Sequence, residues 1–209
     1  MEAPHREIEV KFVLPHLTHL RELLLALGAH QLSPRALEVN LRFDNASGAL
    51  SKDGLVLRLR RDRRTYFTYK APGTVPEERL EVEVEIDSAD DGRRFLEALG
   101  YRVVAAYEKY REVFRLGAEL VMLDDLPFGH FVEIEADSLE RLQAAAEALG
   151  LDWDRRITAS YVALFETLRS RAGLAAPAAT FEHWGDRPVL SQGEIEASAR
   201  HLQTQRSGP

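Results

Sequence analysis

Strict alternation between apolar and charged residues constrains this chain more than any other feature. Over residues 80–87, Leu80, Val82, Val84 and Ile86 alternate with Glu81, Glu83, Glu85 and Asp87, and near the start Ile8, Val10 and Phe12 alternate with Glu7, Glu9 and Lys11. Successive residues of a strand face opposite sides of a sheet, so each run reads as a strand with one apolar and one charged face. Similar runs mark strands at 37–44, 55–61, 65–71, 103–114, 119–124 and 131–136. Between them, Leu17, Leu20, Leu23, Leu24 and Leu27 have helical spacing across 16–27 and stop at Gly28, a good C-cap residue. Ser88 with Asp91 caps a short helix that ends at Leu99-Gly100.

The order strand, helix ending in Leu-Gly, three strands therefore occurs twice within residues 7–136. This is a duplication of architecture with little identity beyond Glu-x-Glu and Leu-Gly. Eight strands joined mostly by short turns predict one antiparallel sheet large enough to curl and close. The expected class is α+β: an eight-stranded antiparallel closed β-barrel, built from a duplicated β-α-β3 unit, with helices packed outside. Helices at 138–149 and 158–171 add to that cover. Residues 1–171 are expected to form the barrel domain. Residues 172–209, rich in Ala, Pro, Gly and Ser, are expected to form a C-terminal appendage with a capping-box helix candidate at Ser191 and Glu194.

The charged faces gather two sets. The acids are Glu7, Glu9, Glu81, Glu83, Glu85, Asp124, Glu133 and Glu135; the bases are Lys11, Arg58, Arg60, Lys70, Lys109 and Arg111. Facing outward they would form salt-bridge ladders of a few tenths of a kcal/mol per pair, and the helices would have nothing apolar to cover. Facing inward, cations cradle phosphate oxygens while carboxylates hold a bridging metal, the two needs of a metal-bound triphosphate. Among 27 basic residues only Lys11, Lys52, Lys70 and Lys109 are lysines, and three of these lie on the charged faces. That placement favours a compact amine at those positions.

Composition narrows the partners. A formal net charge of −7 argues against general binding to nucleic acid or anionic membrane. The absence of cysteine removes disulfides and thiolate metal sites. No apolar run reaches the length that spans a bilayer and no signal-like segment follows Met1, so a cytoplasmic location is expected. His16 and His19 read as a solvated helix face and Trp184 with Phe181 as anchors for the tail, while Arg155 and Arg156 are outside candidates for phosphate contact.

An ordered series of short motifs runs through this framework: Glu7-x-Glu9-x-Lys11, Phe43-Asp44, Leu57-Arg58-Leu59-Arg60, Lys70, Glu81-Val82-Glu83, Lys109-Tyr110-Arg111, Leu123-Asp124, Glu133-Ile134-Glu135 and Ser160-Tyr161-Val162-Ala163-Leu164. Over about residues 7–169 the series resembles the CYTH superfamily, the triphosphate tunnel metalloenzymes. The resemblance implies a tunnel that binds a triphosphate with Mg²⁺ or Mn²⁺. By that pattern Glu7, Glu9, Asp124, Glu133 and Glu135 are the metal-side acids. Lys11, Arg58, Arg60, Lys70, Lys109 and Arg111 form the phosphate cradle, with Glu7, Glu9 and Lys11 as the catalytic group. Arg42 departs from the pattern, which often has an aromatic residue before Phe-Asp, and this bears on substrate rather than fold. The resemblance implies hydrolysis of a triphosphate, inorganic triphosphate first. The alternatives are a class IV adenylate cyclase, making cyclic AMP and pyrophosphate from ATP, and a non-catalytic polyphosphate- or nucleotide-binding module. The intact acid set argues against the last. The expected partner is a small-molecule triphosphate, without nucleic acid or membrane; a homodimer is left open.

Overall fold

The alternating runs pair edge to edge until no free edge remains. In a computed structural model, which describes residues 5–173 and 178–206, the strands are β1 (His5–Leu14), β2 (His30–Asp44), β3 (Val56–Arg61), β4 (Thr65–Pro72), β5 (Glu78–Ile86), β6 (Arg102–Leu116), β7 (Glu119–Leu126) and β8 (Gly129–Ala136). They close as an antiparallel barrel in the order β1-β5-β4-β3-β2-β6-β7-β8. The duplication appears in the ring as an exchange. Each half contributes a three-strand meander, but β5 lies against β4 of the other half, and β1 against β8. At two further junctions, β1–β5 and β2–β6, equivalent strands of the halves pair with each other.

Seven helices accompany the strands among the described residues: α1 (Thr18–Ala26), α2 (Ala49–Lys52), α3 (Ala89–Ala98), α4 (Leu139–Ala148), α5 (Tyr161–Ala172), α6 (Phe181–Trp184) and α7 (Gln192–Arg206). Leu20 and Leu24 of α1 and Leu142 and Ala146 of α4 join one buried cluster with the outward Ile8, Val10, Val132 and Ile134. Leu96 of α3 packs on Phe43 and Leu59. The approach there is close: a Cβ on Gly92 would lie 2.5 Å from Ile86 Cδ1, so glycine permits the contact. Outer cover is incomplete, contrary to expectation. Leu80, Val82 and Val84 of β5 remain 38%, 47% and 54% exposed, because α3 packs over β3 and β4 and leaves that face open.

Three local features differ from the sequence reading. β2 starts at His30 rather than at residue 37, and its ladder to β6 slips between Gln31 and Ser33 and between Ser33 and Ala36. Pro34 lies within that segment, has no N–H to donate and breaks the period-two pattern. The one-turn α2 was not expected. Its clasp is Asp44, whose carboxylate accepts from the N–H groups of Asn45, Leu50 and Ser51 at 2.8, 3.0 and 2.9 Å and from Ser51 Oγ at 2.6 Å. Finally, the charged interior is closed at one level. Following Lys11, Asp124 and Glu133 on the inward faces come Val13, Leu126 and Phe131, which cluster with Tyr161, Leu164 and Phe165 of α5.

The C-terminal helices rest on this apolar stopper. Trp184 is buried 6.3 Å from Phe128 and 6.4 Å from Phe165 between ring centroids. The expected box caps α7: Glu194 accepts from the Ser191 N–H at 2.9 Å. Arg155 and Arg156 pair with Glu196 and Glu77, which ties them to packing rather than to the barrel interior. Among the described residues no helix is long and apolar enough to cross a membrane.

Candidate active site

Strand alternation puts charge around a cavity of about 850 Å³ inside the barrel. All six bases expected to face inward line it, as do Glu7, Glu9, Glu81, Glu83, Glu133 and Glu135. Glu85 does not line the cavity; it is half exposed and pairs with Arg64 at 3.0 Å. Asp124 lies behind the cavity surface, fully buried.

One side of the cavity is acidic. The β1–β8 register sets Glu9 opposite Glu135 and Lys11 opposite Glu133. Lys11 Nζ donates to Glu9 at 2.6 Å and lies 3.6 Å from Glu133. Lys70 bonds Glu7 and pairs with Glu81 at 2.7 Å. Two amines among five carboxylates leave negative charge in excess, and proton affinities follow. Burial, with Glu7, Glu9 and Glu133 nearby, pushes the Glu135 carboxyl up to about 8. Burial also raises Glu7 and, with Glu133 adding to it, Glu9. Against its own burial, Glu133 is held well below the usual carboxylate range by Lys11 and Arg111.

The adjoining side is basic, and its Arg111 reaches Glu133 of the acidic side at 3.1 Å. Arg111 donates to Asp124 through Nε at 2.7 Å and Nη2 at 2.5 Å, while Lys109 and Tyr161 Oη donate to the same carboxylate at 3.0 and 2.8 Å. Arg60 pairs with Glu83 at 2.8 Å. Arg58 donates only to neutral oxygens, Tyr107 Oη at 3.3 Å and Thr68 Oγ1 at 3.2 Å. The buried Nε atoms of Arg58 and Arg60 and Oδ1 of Asn40 have no partner, the mark of an interior arranged around something more than itself.

Sequence reasoning missed Glu38, 1% exposed and 3.4 Å from Lys109. Its signal was available, since Glu38, Asn40 and Arg42 alternate with Val39, Leu41 and Phe43. The roles of Tyr107 and Tyr161 had no comparable signal, because each depends on which side chain lies across the barrel.

The CYTH domain matches residues 5–157. The chain belongs to the CYTH domain family. It is similar to a Methanocaldococcus jannaschii protein named "putative adenylate cyclase", 26% identical over 171 residues, covering 76% of this chain and 97% of that one. Among solved structures, a Vibrio parahaemolyticus protein with the same designation superposes with a TM-score of 0.69 at 24% identity, over 76% of this chain and 97% of that one. A Hippeastrum protein, whose structure is described as a putative adenylyl cyclase revealing a dominant triphosphatase activity, aligns with a TM-score of 0.56 at 22% identity, over 78% and 95%. At these identities the two structures establish the fold.

The CYTH cavity also admits a test of fit for a divalent cation. Among the described residues no three carboxylate or imidazole groups are already drawn together as a metal cluster, because lysines hold Glu7 and Glu9. The donor chemistry nevertheless fits. The acidic side offers carboxylate oxygens, the ligands that Mg²⁺ and Mn²⁺ prefer, and three of them crowd around Glu135. Asp124 differs, since Lys109, Arg111 and Tyr161 occupy both of its oxygens.

Proposed function

We propose that this CYTH protein is a divalent-metal-dependent hydrolase of a triphosphate, with inorganic triphosphate as the best-matched substrate. The observation that carries the reading is the division of one cavity into an acidic and a basic side. A cavity for anions alone gains nothing from carboxylates such as Glu7, Glu9 and Glu135, and one for cations alone gains nothing from Arg58 and Arg111. A metal–polyphosphate complex needs both.

In this reading Glu7, Glu9, Glu133 and Glu135 hold Mg²⁺ or Mn²⁺. Held there, such an ion would supply charge neutralisation of the phosphates and a water of lowered pKa. Arg58, Arg60, Lys109 and Arg111 bind the phosphate oxygens. Asp124, counted by resemblance with the metal-side acids, acts here as a positioning residue, since it fixes Lys109 and Arg111 with help from the Tyr161 hydroxyl. Lys11 and Lys70 lie between acids and ligand, each able to exchange a carboxylate for a phosphate oxygen. The apolar stopper of Val13, Leu126 and Phe131 excludes water from one end. The net charge of −7 supports a small-molecule partner over a nucleic acid.

The triphosphatase activity stated for the Hippeastrum protein supports hydrolysis. The cyclase designations of the Methanocaldococcus and Vibrio proteins support a second reading, conversion of ATP to cyclic AMP and pyrophosphate. Incubating the purified protein with inorganic triphosphate, thiamine triphosphate and ATP, each with Mg²⁺ and with Mn²⁺, separates the two. Orthophosphate from inorganic triphosphate is the expected result. Cyclic AMP with pyrophosphate makes the protein a cyclase, and binding without turnover reduces it to a binding module.

A further inference from the structure

On the basic side, two guanidinium groups face each other without a carboxylate at ion-pair distance among the described residues. Arg42 and Arg58 are direct cross-strand partners in the β2–β3 register, and both line the cavity. Like charges placed opposite one another across a ladder repel. Every other cation of the cradle has a carboxylate within ion-pair distance: Lys11 has Glu9, Arg60 has Glu83, Lys70 has Glu81, and Lys109 and Arg111 have Asp124. Among the described residues Arg42 and Arg58 have none. Arg42 makes one long bond, to the Leu55 carbonyl at 3.5 Å.

The nearest acid on the same face of β2 is not free to serve. Asp44 Oδ1 accepts from the N–H groups of Asn45 and Leu50, and Oδ2 accepts from the Ser51 N–H and hydroxyl. Both oxygens belong to the clasp of α2. Burial lowers the Arg42 pKa and the Arg58 charge adds to it, outweighing Tyr107 and Asp44, which act the other way. Among the described residues two buried atoms here have no partner, Nε of Arg58 itself and Oδ1 of Asn40, two positions before Arg42 on β2.

We infer that Arg42 and Arg58 together form a phosphate subsite on the β2–β3 wall, so that Arg42 joins the substrate-binding residues of this chain. The inference rests on the triphosphate reading of the cavity. Its ligand class is a phosphoryl group of a polyphosphate, whose oxygens accept from two forks at once.

The test is calorimetric binding of inorganic triphosphate and of ATP, without divalent metal, to the wild type and to Arg42→Met, Arg42→Lys and Arg58→Met. Arg42→Met is expected to weaken inorganic triphosphate binding about tenfold to hundredfold, the effect of losing charge-assisted hydrogen bonds. Arg42→Lys keeps the charge and loses the fork, so it is expected to fall between. The unliganded Arg42→Met protein is expected to melt no lower than the wild type, because repulsion is relieved. Wild-type affinity for inorganic triphosphate in Arg42→Met overturns the subsite and leaves the proposed function standing. Loss of ATP binding alone also overturns it, and makes Arg42 a base-stacking residue. A wild type that neither binds inorganic triphosphate without metal nor releases phosphate from it with Mg²⁺ or Mn²⁺ overturns the proposed function itself, and the subsite with it.

Discussion

The two junctions at which equivalent strands of the duplicated halves pair differ in the charge that prevails. At β1–β5, the first strands of the halves meet and acids prevail, Glu7, Glu9, Glu81 and Glu83 against Lys11 and Arg79; at β2–β6, the second strands meet and bases prevail, Arg42, Lys109 and Arg111 against Glu38. The exchange that places β1 beside β8 and β5 beside β4 brings like strands of the two halves together. Charge thus segregates by topology. A duplicated unit with an excess of acids on its first strand and of bases on its second becomes one barrel with a mainly acidic side and a mainly basic side. The geometry suits a ligand that is itself polarised, an anion chain with a metal at one flank.

The largest effect is expected where the comparison is sharpest. Glu9→Gln removes a carboxylate from the acidic side and is expected to reduce metal-dependent phosphate release by at least about a hundredfold, as loss of a metal ligand does. Its melting temperature is expected to hold or rise, because burial and Glu133 disfavour the charged form of Glu9. Arg58→Met is the opposing probe. Calorimetry is expected to show weakened inorganic triphosphate binding with Mn²⁺ binding retained. If Arg58→Met abolishes metal binding in the absence of any phosphate, the two sides do not divide the work and the comparison fails.

Asp124 offers a test within the basic side. It lies at the centre of bonds from Lys109, Arg111 and Tyr161 and is fully buried. Asp124→Asn leaves two buried cations short of a counter-charge, a loss of about 3–5 kcal/mol in unfolding experiments. Inorganic triphosphate is expected to restore melting temperature by more in the variant than in the wild type, because the ligand supplies the missing anion. Equal restoration in both would place Asp124 outside the ligand's reach.

The legible part of this design is what period two determines. Alternation identified the inward residues of β1, β3, β4 and β8 and the closure of the sheet, because one face of each run had to be buried. It also contained Glu38 and Arg42, though the notable neighbours of β2 lay elsewhere in the chain. What alternation cannot reveal is which inward residues meet across the barrel. Asp124 reads as another acid until Lys109, Arg111 and Tyr161 converge on it. The stopper was hidden for a related reason: Val13, Leu126 and Phe131 continue the inward phase of their strands but are apolar, so charge does not mark them. The exposed Leu80, Val82 and Val84 depend on where α3 settles, a matter of packing rather than pattern.

The smallest effect concerns protons on the acidic side. Glu135 is raised from 4.5 to about 8 by burial and by Glu7, Glu9 and Glu133. Between those two values the folded protein holds a proton that the unfolded chain releases. The contribution of this group to stability is therefore whole below the unfolded pKa and is lost as pH rises through about 8. Melting temperature is expected to fall modestly across that window, and Glu135→Gln is expected to flatten the dependence. The same proton opposes a cation, so Mn²⁺ binding near neutrality is expected to release it and to tighten with rising pH. A parallel titration of the two proteins decides between the sides. If Glu135→Gln leaves both the melting profile and the proton release unchanged, the excess negative charge does not reside at the β1–β8 register, and the acidic side must be redrawn around Glu7, Glu81 and Lys70.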